Sequence, residues 1–120
     1  MKYVTGLGGF FFRAKDPAAL GEWYEQALGV PGYEKGWTQA SGPTVFAPFP
    51  AGTDYFSRPE QQWMLNFRVR DLDGLMAHLR GLGIEIITNP DWDSEVGRFA
   101  RIHDPEGNPV ELWEPAGEGA

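Results

Sequence analysis

The chain has 120 residues, 42% of them hydrophobic and 14% aromatic, which predicts one globular domain and excludes a disordered chain. Its net charge of −7 disfavours nucleic acid as a partner, and the absence of cysteine excludes disulfides, thiolate nucleophiles and zinc–thiolate sites. We expect a cytoplasmic protein that does not enter a membrane, because no apolar run is long enough to span one and residues 1–9 lack the apolar core of a signal peptide.

The first predicted elements are a strand over residues 7–14 and a helix after it. Asp16 suits the N-cap, and Pro17 suits the first helical position. Gly29 is in the usual place for a left-handed cap that ends the helix. The apolar side chains between these signals recur at helical spacing and predict one buried face: Leu20, Trp23, Tyr24, Ala27 and Leu28.

The next stretch predicts short strands rather than a helix. Residues 33–39 and 44–49 are the main candidates, residues 54–56 are a weaker one, and the Ser-Gly-Pro sequence at 41–43 reads as a turn between the first two. Residues 58–61 are the best linker to the second half of the chain.

The second half repeats this order of signals. A strand over 64–69 precedes Asp71, which can cap a second helix that Gly83 ends. Further strands are predicted at 84–88, 98–103 and 110–114, and the last two flank a strong turn sequence, Asp104-Pro105-Glu106-Gly107-Asn108. The buried side of the second helix is predicted to carry Leu72, Leu75, Leu79 and Leu82.

The two halves also match residue by residue. The stretch that starts at Phe12 and the one that starts at Phe67 share Phe, Arg, Asp and Leu at the same offsets. We therefore predict an α+β fold of two βαβββ modules, with a mostly antiparallel curved sheet that forms a cleft and helices on its outside. The modules would span about 1–57 and 62–115, followed by a frayed tail at 117–120.

The chain resembles the vicinal oxygen chelate superfamily, which includes glyoxalase I, bleomycin-resistance proteins, fosfomycin-resistance enzymes and extradiol dioxygenases. The paired module starts carry this resemblance, together with the ending Phe99 to Trp113, in which a glutamate follows the turn aspartate by seven residues. The resemblance covers nearly the whole chain. It implies the paired-module fold, and it implies homodimers, which are frequent in the superfamily.

Metal-dependent members hold one divalent ion in the cleft, and the resemblance places the ligands on this chain. Gly9 and Met64 stand where two of them would be, but glycine has no side chain and a thioether is a poor ligand for a hard cation. Glu111 alone matches, with His103 as a possible helper, and a catalytic site normally uses about three protein ligands. We therefore expect no cofactor; a divalent metal is possible but disfavoured.

Strand alternation predicts what the cleft offers instead. It brings aromatic side chains and guanidinium groups to one face, which suits a small anionic or aromatic molecule. Trp37 and Trp92 are further candidates for stacking on a ligand, although packing or a subunit contact is about as probable for them. The predicted ligand-binding residues are Phe11, Arg13, Met64, Asn66, Arg68, Phe99, Arg101 and Trp113, and the candidate catalytic residues are Glu111 and His103.

Three functions remain open on the sequence. The first is metal-free binding of a small organic molecule, as in the bleomycin-resistance proteins. The second is a lyase, isomerase or dioxygenase-type enzyme that uses Glu111 with a metal, or with His103 or an arginine as an acid–base pair. The third is a structural or partner-binding domain with a vestigial cleft. Separately, Arg101 and Glu111 could pair with each other as a structural salt bridge instead of acting in catalysis.

Overall fold

The computed structural model describes residues 3–117. It contains two α-helices, a three-stranded sheet and two short 3-10 turns at Tyr33–Lys35 and Pro90–Trp92. The predicted frayed tail lies mostly outside the described residues. The helices and strands, in chain order, are α1 (Pro17–Leu28), β1 (Leu65–Arg68), α2 (Leu72–Gly81), β2 (Gly97–His103) and β3 (Pro109–Pro115).

The structure confirms the predicted caps of α1. The Asp16 Oδ1 accepts a hydrogen bond from the Ala19 amide at 3.1 Å, and Pro17 occupies the first helical position. Gly29 adopts a left-handed conformation with φ of 72°, which is strained for a residue that has a side chain. Leu20, Tyr24 and Ala27 are buried, whereas Trp23 and Leu28 are only partly covered.

The second helix also follows its predicted caps, with one correction on its buried face. The Asp71 Oδ1 accepts from the Gly74 amide at 3.1 Å, and the helix ends two residues before the left-handed Gly83. Leu72 and Leu79 are buried as predicted. Leu82 is exposed instead, because it follows the last turn of α2, and Met76 takes a buried position in its place.

The sheet belongs to the second half of the chain and has the order β1-β3-β2. The β1 strand is parallel to β3, and β2 is antiparallel to β3, so the sheet is mixed rather than mostly antiparallel. The strand predicted at 84–88 is reduced to one isolated bridge between Ile87 and Arg101. The predicted strand boundaries at 64–69, 98–103 and 110–114 agree with β1, β2 and β3 within one or two residues.

The helices cover one face of this sheet and form the core with it. Ala100, Ile102, Val110 and Leu112 alternate on that face and are fully buried against residues of both helices. At about 25 cal/mol per Å² of apolar surface removed from water, this cluster is the main source of stability. We call the opposite face of the sheet the open face. It carries the side chains of the strand residues that alternate with these buried ones.

The turn between β2 and β3 attaches α1 to the sheet. The buried Asp104 Oδ2 accepts from the Tyr24 hydroxyl at 2.7 Å and from the Asn108 side-chain amide at 2.8 Å. The Glu106 carboxylate accepts from the Lys15 and Asp16 amides at 2.8 and 3.0 Å, just before α1 begins. The turn motif that carries the resemblance is therefore a structural clamp between the two halves of the chain.

The first half differs from the prediction. None of the strands predicted at 7–14, 33–39, 44–49 and 54–56 forms among the described residues, and every residue from 33 to 50 is exposed. Isolated extended segments lose the ladder hydrogen bonds that define a strand, and this half is rich in glycine and proline. The described fold is thus α+β with a small open sheet, and two complete modules are not formed within it.

Candidate functional site

The open face presents the polar side chains that alternation predicted. In the β2–β3 register Arg101 is opposite Glu111 and Phe99 is opposite Trp113, and in the β1–β3 register Asn66 is opposite Glu111. Because residues opposite each other in adjacent strands point to the same face, these side chains are neighbours. The centre of this face is Glu111.

Glu111 is buried and holds two hydrogen bonds. Its Oε1 accepts from the Asn66 side-chain amide at 2.7 Å, and its Oε2 accepts from the Tyr55 hydroxyl at 2.5 Å. Burial raises the pKa of the Tyr55 phenol to about 12, and the hydrogen bond to Glu111 adds to this effect. The phenol therefore stays protonated at neutral pH and donates to the carboxylate.

Arg101 is buried beside Glu111 but is poorly satisfied. Its Nη2 donates to the Met64 sulfur at 3.4 Å, and within residues 3–117 its buried Nε has no hydrogen-bond partner. Among the same residues it forms no ion pair with Glu111, so the structural salt bridge considered for these two residues is absent there. An unsatisfied buried donor costs about 1–3 kcal/mol, which makes this guanidinium the least compensated group on the open face.

Aromatic rings cover the guanidinium from two sides. The Arg101 Cζ lies 4.5 Å from the centroid of the Tyr55 ring and 5.5 Å from that of Trp92. Tyr55 comes from the loop before β1, and Trp92 comes from the 3-10 turn that precedes β2. We call the set of six neighbouring side chains the Glu111 cluster: Tyr55, Met64, Asn66, Trp92, Arg101 and Glu111.

The remaining predicted side chains of β2 and β3 flank the Glu111 cluster. The rings of Phe99 and Trp113 are stacked, with centroids 6.2 Å apart. At the other end the His103 Nε2 lies 3.0 Å from the Ser57 Oγ. Burial, with the charge of Arg101, lowers the pKa of His103.

Three predicted ligand-binding residues lie apart from the Glu111 cluster in their contacts. Phe11 is 93% exposed, and Arg13 is also exposed. The Arg68 guanidinium donates to the carbonyl oxygens of Ala40 and Pro43 and so fastens the 40–44 loop. The predicted place of Phe11 and Arg13 on the cleft face depended on a strand at 7–14, which does not form among the described residues.

Sequence reasoning missed Tyr55 and the Ser57–His103 contact. The sequence predicts a weak strand at residues 54–56. That prediction does not indicate that the Tyr55 side chain contacts Glu111. The sequence shows no group that could activate Ser57, yet this residue lies against an imidazole and has a left-handed backbone with φ of 79°. No periodicity in the sequence signals a contact between a loop and a strand more than forty residues away.

The residues around Glu111 do not fit a divalent metal. No group of three or more His, Cys, Asp or Glu side chains in the described part of the chain is arranged to hold one. The nearest other groups are a neutral amide, a protonated phenol and a cationic guanidinium, and the last of these disfavours a second cation. Met64, which stands at a ligand position of the family, accepts a hydrogen bond from Arg101 instead.

Two surface cavities lie elsewhere. One of about 380 Å³ lies between α1 and the β2–β3 turn and is lined by Leu20, Trp23 and Pro105 among others. The other, of about 260 Å³, lies between α2 and the Pro90–Trp92 turn and includes Arg80 and Phe99. Neither is lined by a residue of the Glu111 cluster, in which the Tyr55 hydroxyl donates to the Glu111 carboxylate.

The turn sequence between β2 and β3 carries the resemblance to the vicinal oxygen chelate superfamily, and the comparisons with known proteins agree with this assignment. The family model described as a glyoxalase-like domain matches residues 9–113. The chain therefore belongs to the glyoxalase-like domain family. No curated protein matches it significantly. Across the described residues, no helix is both long and apolar enough to cross a membrane.

Two solved structures share the fold. TnmS3, an antibiotic binding protein from Streptomyces sp. CB03234, matches with 22% identity and a TM-score of 0.63 over 97% of this chain and all of its own. A glyoxalase/bleomycin resistance protein from Streptomyces sp. CB03234 matches with 23% identity and a TM-score of 0.50 over 83% of this chain and 92% of its own. At such identities the likeness establishes the fold alone.

Proposed function

We propose that this protein binds a small aromatic organic molecule on the open face, at the Glu111 cluster, without a metal. The observation that carries the proposal is the buried Arg101 guanidinium, whose Nε lacks a partner within the described residues and whose flanks are aromatic. A ligand that satisfies this group gains what the free protein lacks. TnmS3, which shares this fold, is an antibiotic binding protein, and this supports binding as the role of the fold.

Catalysis by Glu111 and His103 receives less support from the geometry. Each is hydrogen-bonded to a different loop residue, Glu111 to Tyr55 and His103 to Ser57. They are two register positions apart and have no hydrogen bond to each other within residues 3–117. The third alternative, a vestigial cleft, is favoured by the Tyr55 ring over Glu111, so the decisive question is whether a ligand enters.

The test is a binding screen of aromatic compounds by calorimetry, with tryptophan fluorescence as a second readout because Trp92 is next to Arg101. We expect Arg101→Met to weaken binding of any hit by about tenfold or more, since the thioether keeps the volume but removes the donors. The exposed Arg70→Met is the matched control and should bind normally. Equal binding by the Arg101→Met variant would refute the proposed site.

We also propose a homodimer in which a second copy covers the exposed first half. Phe46 is 83% exposed, Val45 72% and Phe11 93%, all on extended segments without a strand partner. Large apolar side chains with so much exposed surface favour an interaction surface in this half, and closed two-fold dimers are the commonest assembly. Pairing with the second copy would supply the ladder hydrogen bonds that would complete the two-module fold.

Sedimentation velocity over a range of concentrations tests the dimer. Phe46→Asp should shift the protein to the monomer, because burying an unpaired carboxylate at an interface is costly. Val96→Asp adds the same charge at a side chain that is 54% exposed outside this segment, and it should leave assembly unchanged. A wild-type protein that remains monomeric at every concentration would contradict the dimer.

A further inference from the structure

The Tyr55 ring is held in the Glu111 cluster as a bound phenol would be. Its hydroxyl donates to the Glu111 Oε2 at 2.5 Å, and the Arg101 Cζ lies 4.5 Å from its centroid. On the loop side, the Phe49 ring is stacked on it at 5.8 Å with an interplanar angle of 21°. The three contacts are a hydrogen-bond acceptor, a cation beside the ring and a stacking partner, which together define the recognition of an aromatic hydroxyl.

The charges in the Glu111 cluster select a neutral phenol over an anion. The Glu111 carboxylate already uses one oxygen to accept from the Asn66 amide, and its other oxygen needs a donor. A ligand carboxylate or phenolate offers no proton there and would face the charge of Glu111 at close range. Arg101 balances one negative charge, so the Glu111 cluster has no surplus positive charge for an anionic ligand.

The segment that carries Tyr55 is a loop without strand pairing among the described residues. Residues 50–57 contain turns and no strand, and the contacts that fix the loop near Tyr55 include a 3.2 Å bond from its amide to Thr53 and the Ser57–His103 bond. Glu111, Asn66 and Arg101 are instead on strands of the sheet. The acceptor and the cation are therefore rigid, whereas the ring that they hold is on a loop.

We propose that Tyr55 occupies, as an intramolecular surrogate, a site built for an aromatic hydroxyl, and that the ligand is a phenolic compound that binds by displacing Tyr55. This inference rests on the proposed function and names its ligand class. Because Tyr55 competes from within the chain, the apparent affinity for a free phenol is reduced by the fraction of molecules in which the site is closed.

The test compares the wild-type protein with Tyr55→Ala and Tyr55→Phe, using p-cresol, toluene and benzoate as probes in calorimetric and ligand-observed NMR titrations. Tyr55→Ala opens a hole the size of the missing phenol, and we expect p-cresol to bind it about tenfold more tightly than toluene, with benzoate weaker still. Tyr55→Phe keeps the ring but loses the bond to Glu111, so its affinity for p-cresol should fall between those of Tyr55→Ala and the wild type.

Two controls make the result specific. Tyr33→Ala removes a tyrosine that is 93% exposed and should bind p-cresol no better than the wild type. Adding Glu111→Gln to Tyr55→Ala should reduce the preference for p-cresol over toluene, because a charge-assisted acceptor becomes a neutral one. Should Tyr55→Ala lose its cooperative unfolding transition, the comparison of Tyr55→Phe with the wild type decides the matter.

Equal affinities for p-cresol and toluene, or no gain in p-cresol affinity in a folded Tyr55→Ala or Tyr55→Phe variant, would overturn the inference. The outcomes also separate it from the proposed function. A wild-type protein that binds aromatic molecules without a hydroxyl, in an Arg101-dependent way, keeps the function and refutes the phenol site. A Tyr55→Ala variant that selects p-cresol, beside a wild type that binds no aromatic compound, would show that Tyr55 is not displaced and would refute both.

Discussion

At the residue scale, the open face combines groups whose local chemistry differs sharply. Glu111 accepts one hydrogen bond on each carboxylate oxygen, whereas Arg101 beside it is a donor with a buried Nε that has no partner in the described part of the chain. Strand alternation placed these two residues on one face from the sequence alone. Their partners could not be predicted in the same way, because Tyr55 and Trp92 arrive from loops.

His103 predicts a pH dependence of stability. Its folded pKa is lowered below the ordinary imidazole value of 6.5 by burial and by Arg101, with Arg58 acting in the same direction, while Glu85 and Asp104 oppose the shift. The unfolded chain therefore binds a proton that the folded chain does not, and the free energy of unfolding falls as pH drops below about 6.5 and through the folded pKa.

Urea unfolding at pH 7.5 and pH 5 measures this effect. His103→Gln should lose less stability between the two values than the wild-type protein does, since the variant has no imidazole to protonate there. His78→Gln is the matched control, because it removes the chain's other imidazole from an exposed helical position. An unchanged pH difference in His103→Gln would contradict the assignment.

The prediction that the protein holds no divalent metal also depends on single residues. We expect well below one ion per chain when the untagged protein is incubated separately with zinc, nickel, manganese and iron(II), freed of excess and analysed by mass spectrometry. The reason is that Gly9 and Met64 replace family ligands and that Arg101 lies beside Glu111. One tightly held ion per chain, lost in Glu111→Ala, would reverse this interpretation.

At the element scale, capping signals predicted both helices and their ends. Asp16, Pro17 and Gly29 act as the sequence indicated, because a cap depends on a few neighbouring residues. Leu82 is the instructive error. The apolar residues of α2 keep helical spacing as far as Leu82. The helix itself ends at Gly81, so Leu82 lies outside it and is exposed.

Gly97 is needed where β2 begins. Its φ of 139° is strained for any other residue, and an added Cβ would collide with the Glu114 carbonyl oxygen on β3. Gly97→Ala should therefore lower the free energy of unfolding by about 2–4 kcal/mol. Gly81→Ala, at a helical glycine with open space around it, should change it by less than about 1 kcal/mol and in the stabilising direction. Equal changes in the free energy of unfolding for Gly97→Ala and Gly81→Ala, measured with urea, would contradict this account.

At the scale of the whole molecule, the two halves of the chain are joined by the β2–β3 turn. The Tyr24 hydroxyl from α1 reaches the buried Asp104 at 2.7 Å, and the shared core continues from α1 to the sheet. The first half is otherwise exposed from residue 33 to residue 50. We propose that a second copy supplies the partner that its predicted strands lack here.

Tyr24→Phe tests the clamp. Asp104 keeps its bonds from the amides of Glu106 and Asn108 but loses a buried donor, so the free energy of unfolding should fall by about 1–2 kcal/mol. Tyr33→Phe, at an exposed ring, should change it by less than about 0.5 kcal/mol. An unchanged free energy of unfolding in Tyr24→Phe, measured with denaturant, would show that the Tyr24–Asp104 hydrogen bond adds nothing to stability.

The sequence by itself determined the family, both helices, the three strands of the second half and the side chains that share the open face. These features depend on local caps, on the 3.6- and 2-residue periods, and on a turn motif read within a few residues. The tertiary structure alone decided that Tyr55 covers Glu111, that Ser57 meets His103 and that Arg68 turns to the 40–44 loop. Such contacts join loops to strands far along the chain, and no repeating pattern encodes them.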